Sequence, residues 1–301
     1  MKAGIQSRNL ASRQWLYGLL FASPWLLGFS ILTVYPVAKA FYYSFTDYDV
    51  LSPPIWVGIA NYQEIVQDDL FWKSLWNTFF YTALAVPISL VISLGLALLV
   101  NRKLPGIEIY RTAFFLPSVT PIVAFSILWI WLLHPGFGLI NWLLSLVGLN
   151  GLGWLSDPRW SKPAIILMAQ WGTGATMLIF LGGLQTIPKQ LYEAAEIDGA
   201  SLWRRFIHVT LPMLSPTILL NLILQTIFSL QIFTQGFIMT GGGPLDSTLF
   251  YVLYLFRNAF TYFRMGYAAA LGVVLFVITV AISLTIWLTQ ARWVYYEVEN
   301  R

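Results

Sequence analysis

Six stretches of this chain are long, apolar and free of Asp, Glu, Lys and Arg: Trp15 to Val37, Leu75 to Val100, Thr112 to Leu133, Pro163 to Leu184, Met213 to Gln235 and Ala268 to Gln290. Each meets the roughly 20 residues that a helix rising about 1.5 Å per residue needs to cross a bilayer. The pattern predicts an all-α polytopic membrane protein, a single transmembrane domain over residues 1–301 with six spanning helices. The first stretch follows Lys2, Arg8 and Arg13 as a secretory signal would. Its apolar run is longer than a signal's core and more spans follow, so it reads as an uncleaved helix.

Segments 38–74, 134–162 and 236–267 are rich in Trp, Tyr, Phe, Gly and Pro, the composition of interfacial belts and short re-entrant turns. The spans themselves carry Pro24, Pro87, Pro117, Pro121 and Pro216, with small residues at Gly172, Gly174, Ala268, Ala269, Ala270 and Gly272. These permit kinks and close helix approach, and helix packing is reason enough for them.

Composition agrees with the pattern. Hydrophobic residues make up 58% of the chain and charged residues 10%, against about a quarter charged in a soluble domain. Too few polar residues remain to build a water-facing surface, so the solvent is largely lipid. The net charge of +4 comes from Lys and Arg scattered between the apolar runs; without a basic stripe it gives no nucleic-acid surface. It gives an orientation instead. The segments before span one, at 101–111, at 185–212 and after 290 hold eleven Lys and Arg in 64 residues, and the opposite segments hold six in 98. The denser side is expected in the cytoplasm, with both termini.

Several chemistries are excluded. With no cysteine, neither disulfides nor thiolate sites can form. Ion-driven transporters place ionisable residues within the membrane, and these spans have none. No Gly-x-x-x-x-Gly-Lys-Ser/Thr loop is present, and Thr240-Gly241-Gly242-Gly243-Pro244 has no Lys for a phosphate, so it reads as a turn. His134 and His208 fall on opposite expected sides, without ligand spacing for zinc. No Gly-x-Ser-x-Gly elbow occurs. The acid pairs Asp47/Asp49 and Asp68/Asp69 are the only candidates for a surface enzyme site, and they read as a solvated outer face. Active transport by this chain needs energy from a partner.

The segment 185–212 is too polar to span and too regular for a tether. Pro188 suits the first position of a helix, Gly199 the left-handed position after its end, and Ser201 the cap of a second helix. Glu193, Glu196 and Asp198 make the first helix acidic, Arg204 and Arg205 make the second basic, and Ala194 and Ala195 leave a small surface between. On these grounds alone it is either a docking module or a solvated amphipathic loop.

The string Glu193-Ala194-Ala195, Asp198-Gly199-Ala200, Phe206, Leu211-Pro212 and Pro216 resembles the EAA signature of binding-protein-dependent ABC importer permeases. Further stretches resemble the sugar branch of that family, which includes maltose and glycerol-phosphate permeases: Ser44 to Asp47, Trp56-Val57-Gly58 with Asn61-Tyr62, Arg111 to Pro117, Thr240 to Pro244, and Ala259-Phe260 leading to Met265 to Ala270. The likeness covers nearly the whole chain, although the large insertion of the maltose subunit has no counterpart in 38–74 or 134–162.

The resemblance implies a type I ABC importer permease fold in a bacterial or archaeal cytoplasmic membrane. It implies a second homologous permease subunit, two cytoplasmic ATPase subunits that hold ATP and Mg, an extracytoplasmic solute-binding protein and a sugar substrate, with no cofactor on this chain. Glu193, Ala194, Ala195, Asp198 and Gly199 are then the docking residues of a coupling helix, a short lever moved by the ATPase dimer and rocking the spans between two openings. Other ABC importers, for amino acids or glycerol phosphate, share the EAA loop and stay open as alternatives.

Span five is unusually polar. Asn221, Gln225, Phe228, Ser229 and Ile232 recur at helical spacing and are expected on one face. Span four adds Gln170, Trp171, Gly172 and Thr173. Amides and a ring suit a neutral, hydroxyl-rich ligand; interhelical hydrogen bonding is the other reading of the same residues.

Overall fold

The computed structural model describes residues 3–102 and 105–296. Lys2, Lys103 and Arg301, three cations of the denser side, lie outside the described residues, as do the side chains of Arg8 and Arg13. The chain forms two compact units, residues up to 66 with 258–275, and residues 67–257 with those from 276 onward.

In the first unit, helix α1 (Ala3–Phe29) runs through a π turn at Ser30–Val34 into α2 (Tyr35–Tyr43). A two-residue antiparallel ladder follows, β1 (Thr46–Asp47) on β2 (Ile55–Trp56), then α3 (Ala60–Gln67). The Asn61 amide donates to the carbonyls of Ser44 and Thr46, both at 2.9 Å, and the Tyr62 hydroxyl donates to Ser44 Oγ at 2.7 Å. Phe45 stacks on Trp56, ring centres 5.5 Å apart. Gly266 closes on this turn: its N–H donates to the Tyr48 carbonyl at 3.0 Å, and a Cβ there would lie 2.0 Å from the Thr46 oxygen. The motif stretches at 44–47, 56–62 and 265–270 thus meet in one place. Glu64 and Arg264 pair at 2.6 Å beside them.

The second unit is built around α4 (Asp69–Val100), which packs on α8 (Pro158–Trp171), α9 (Gly174–Thr186) and α12 (Leu211–Leu230). Its apolar surface feeds two cores, one around Tyr81, Phe125, Trp129, Ile165 and Phe250, the other around Ala97, Met177, Phe180, Leu184 and Leu214. Gly174 permits a close approach here: a Cβ would sit 2.3 Å from the Phe114 carbonyl oxygen on α5 (Ile107–Val119). Several polar groups buried in the apolar interior pair with one another. Asn77 donates to the carbonyls of Asp246 and Leu249 and accepts from Lys162 Nζ at 2.9 Å, and Ser161 and Ser247 share a hydrogen bond of 2.7 Å.

Four helical stretches are long and apolar enough to cross a membrane: Tyr17–Tyr43, Asp69–Val100, Leu202–Leu230 and Met265–Arg292. The third and fourth expected spans are broken. α5 and α6 (Ile122–Leu132) meet at 99°, and α8 and α9, which follow the short helix α7 (Leu139–Leu146), meet at 48°, so six crossings result when each bent pair counts as one. At the first break Pro121 lacks the N–H that would continue the ladder and forces Thr120 into an extended conformation, ψ 130°. At the second, Gly172 ends α8 and the Thr173 hydroxyl bonds back to the Gln170 carbonyl at 2.9 Å.

One acid of each pair has a structural task. Asp68 caps α4 by accepting from the Leu70 N–H and accepts a hydrogen bond from the Tyr254 hydroxyl. The backbone N–H of Ser52, aided by its hydroxyl and the Leu51 N–H, holds the Asp49 carboxyl below the usual carboxylate range.

Candidate functional site

The break in span four opens a cavity of about 510 Å³ between α4, α8, α9 and the end of α12. Six of the nine expected substrate residues line it: Gly172, Thr173, Gln225, Phe228, Ser229 and Ile232. Gln225 Nε2 donates to Thr176 Oγ1 at 3.0 Å, which aims the amide across the helix gap and leaves its oxygen able to accept. Phe228 is 70% exposed, a bare aromatic face in the cavity wall.

The other three point elsewhere. Asn221 is buried and donates to the Thr217 carbonyl one turn back. Gln170 donates to the Ile166 carbonyl, with its oxygen buried and unpaired. Trp171 stands edge-on to Trp129. The expected single face on span five also fails at its end, because α12 stops at Leu230 and Ile232 follows in a non-helical turn.

Sequence reasoning missed the opposite wall. Tyr81, Ala85 and Ser89 on α4 recur every fourth residue, and Gln231, Thr234 and Gln235 follow α12. Tyr81 and Ser89, polar residues two helical turns apart with the small Ala85 between them in span two, were the available signal. The lining contains no Asp, Glu, Lys, Arg or His.

The segment 185–212 folds as a hairpin. Its first arm is α10 (Lys189–Ile197), with Pro188 extended as the cap rather than in the first helical position, ψ 131°. The helix ends in a Schellman motif: Ala200 N–H donates to the Ala195 carbonyl at 2.9 Å, Gly199 N–H to the Glu196 carbonyl at 3.0 Å, and Gly199 takes φ +72°. Ser201 then caps α11 (Leu202–Arg205) by accepting from the Arg204 N–H.

The second arm is not a separate short helix. α11 continues through a π turn at Phe206–Thr210 into α12, giving one helical stretch from Leu202 to Leu230. Arg205 bridges the arms to Glu196 at 3.1 Å. Glu193, Ala194, Asp198 and Gly199 are exposed, with Ala195 half-buried. The bend also exposes Ile197 (87%), Leu202 and Trp203, apolar residues that the charge pattern of the segment had hidden.

The family described as binding-protein-dependent transport system inner membrane component matches residues 69–292. A probable ABC transporter permease of Bacillus subtilis is 42% identical over 94% of this chain and 93% of its own length. The sulfoquinovosyl glycerol transport system permease of Agrobacterium fabrum is 38% identical, over 89% of this chain and 88% of its own. The trehalose/maltose transport system permease of Thermococcus litoralis is 32% identical, over 92% and 94%. Among solved structures, a bacterial ABC transporter involved in the import of the acidic polysaccharide alginate superimposes with a TM-score of 0.81 at 24% identity, over 95% of this chain and 98% of that one. That likeness establishes the fold. The motifs, the broken-span helix bundle and these matches together make the chain a multi-pass inner-membrane member of the binding-protein-dependent ABC permease family.

Proposed function

We propose that this chain forms one half of the pathway by which an ATP-driven importer moves a neutral sugar or oligosaccharide inward. The chemistry of the cavity carries this reading: amides at Gln225, Gln231 and Gln235, hydroxyls at Thr173, Thr176 and Ser229, the Phe228 ring, and no ionised side chain. A sugar hydroxyl both donates and accepts, as amides and hydroxyls do, and its C–H faces stack on rings. Glycerol phosphate or an amino acid would bring a charge that this lining leaves uncompensated at a high desolvation cost. The name of the trehalose/maltose transport relative points to the same solute class.

In this reading the hairpin docks on a cytoplasmic ATPase through Glu193, Ala194, Ala195, Asp198 and Gly199, with Ile197, Leu202 and Trp203 as the apolar part of the contact. ATP and Mg belong to that partner, of which two copies serve this chain and a second, homologous permease. An extracytoplasmic solute-binding protein delivers the ligand, and both termini face the cytoplasm.

The test is uptake by proteoliposomes holding the assembled transporter and its binding protein. Neutral sugars are expected to compete for the transported solute, and Gln225→Ala and Phe228→Ala to lower uptake about tenfold each, the loss of one good contact. Competition by glycerol phosphate or an amino acid, with neutral sugars inert, overturns the assignment.

A further inference from the structure

A second cavity, of about 420 Å³, opens beside the hairpin where the ends of α4, α5, α9 and α10 converge. Three cations line it: Arg102 just past α4, Arg111 on the first turns of α5, and Lys189 at the start of α10. Among the described residues none has a carboxylate within 4.0 Å. Arg111 Nε is buried without a hydrogen-bond partner, and its guanidinium reaches the Val100 carbonyl only at 3.4 Å. α5 and α10 both begin here without a side-chain cap, at Gly106 and Pro188, so their free N–H groups and positive dipole ends add to the field. Three like charges around one concavity repel one another unless an anion sits between them, and a planar guanidinium with free N–H groups matches phosphate oxygens.

Apolar side chains, Ile107 and Leu184, share the lining, a combination suited to an amphiphile rather than to a fully hydrated ion. We propose that this cavity binds the phosphodiester headgroup of an acidic phospholipid from the cytoplasmic leaflet. The proposal rests on the side assignment made above from the Lys and Arg distribution, and not on the identity of the solute. Tyr192 of α10 forms part of the wall and shares a 3.0 Å hydrogen bond with Thr210 Oγ1 in the π turn that leads into α12. A seated headgroup therefore touches the hairpin and steadies it against the spans, which makes acidic lipid a condition for efficient coupling.

Thermal unfolding of the assembled transporter in a neutral detergent tests this, with phosphatidylglycerol, phosphatidylcholine or inorganic phosphate added. Phosphatidylglycerol is expected to raise the midpoint and phosphatidylcholine to leave it unchanged. Arg102→Gln and Lys189→Gln should each raise the phosphatidylglycerol concentration for half the shift about fivefold, the contribution of one cation near an acidic surface. Arg159→Gln, an exposed cation on the opposite expected side, should not. Equal shifts with both lipids overturn the proposal. Inorganic phosphate reproducing the shift without lipid overturns it in favour of a soluble anion. A shift in the isolated permease that vanishes in the complex overturns it in favour of an acidic surface on a protein partner. Because the measurement needs no transport, a flat result leaves the solute assignment standing, and the uptake experiment leaves this proposal untouched if it fails.

Discussion

Asn61 spends both amide protons on main-chain oxygens, those of Ser44 and Thr46, and so fixes the turn that leaves α2. Asn61→Ala removes two hydrogen bonds and leaves two carbonyls unpaired, at a cost of about 1–3 kcal/mol. The expected result is a lowered midpoint in thermal unfolding of the detergent-solubilised chain, while Glu196→Gln, which loses only an exposed ion pair, stays within about 1 kcal/mol of the parent. Asn61-Tyr62 and Ser44 to Asp47 were visible in the sequence as motif stretches. Their mutual contact was not, because it depends on a chain reversal that no local pattern encodes. Asn221 shows the converse: its spacing from Gln225 matched a shared face, yet its amide found the Thr217 carbonyl of its own helix. A polar side chain in an apolar helix can satisfy itself one turn back, and spacing does not distinguish that from facing a cavity.

Helical stretches at Tyr17–Tyr43, Asp69–Val100 and Met265–Arg292 overlap the first, second and sixth apolar runs, each of which is long with its charges outside it. Spans three and four diverge. Pro121 and Gly172 were in view as kink formers, but the size of the bends, 99° and 48°, goes with what each half-helix packs on, α5 on α9, α6 on the turn at Gly236–Thr240, and α8 and α9 on α4, and that is tertiary information. In the hairpin, the left-handed Gly199 and the Ser201 cap were legible from residue type alone, and the fusion of the second arm with span five was not. Gly199 yields a sharp prediction. A Cβ there meets nothing within 4 Å, so Gly199→Val costs no packing, but φ +72° is a true outlier for a β-branched residue. The variant is expected to insert and assemble at normal levels while its binding-protein-stimulated ATPase falls at least about tenfold, as a 1–2 kcal/mol backbone strain shifts the bend out of its docking geometry. Stimulation at the parental level would remove Gly199 from the coupling contact.

At the scale of the whole chain, the charge asymmetry predicts sidedness, and the absence of cysteine makes that prediction directly measurable. Single-cysteine variants in intact cells are expected to separate cleanly. Leu51→Cys, at a position 88% exposed, should react with a membrane-impermeant maleimide, and Glu193→Cys should react only after permeabilisation. The reverse labelling would invert the topology and place the hairpin beyond the reach of a cytoplasmic ATPase.

One continuous helix runs from Leu202 to Leu230, and from its first residue to Gln225 is about 35 Å at the usual rise. In the proposed mechanism it is a drive shaft, with the engine at one end and the cargo bay wall at the other. Such a shaft has little slack, so a power stroke cannot be graded along the way. Slippage, in which fuel burns without freight moving, would have to originate where the regular backbone ladder is interrupted, at the π turn of Phe206–Thr210, at Pro212 and at Pro216.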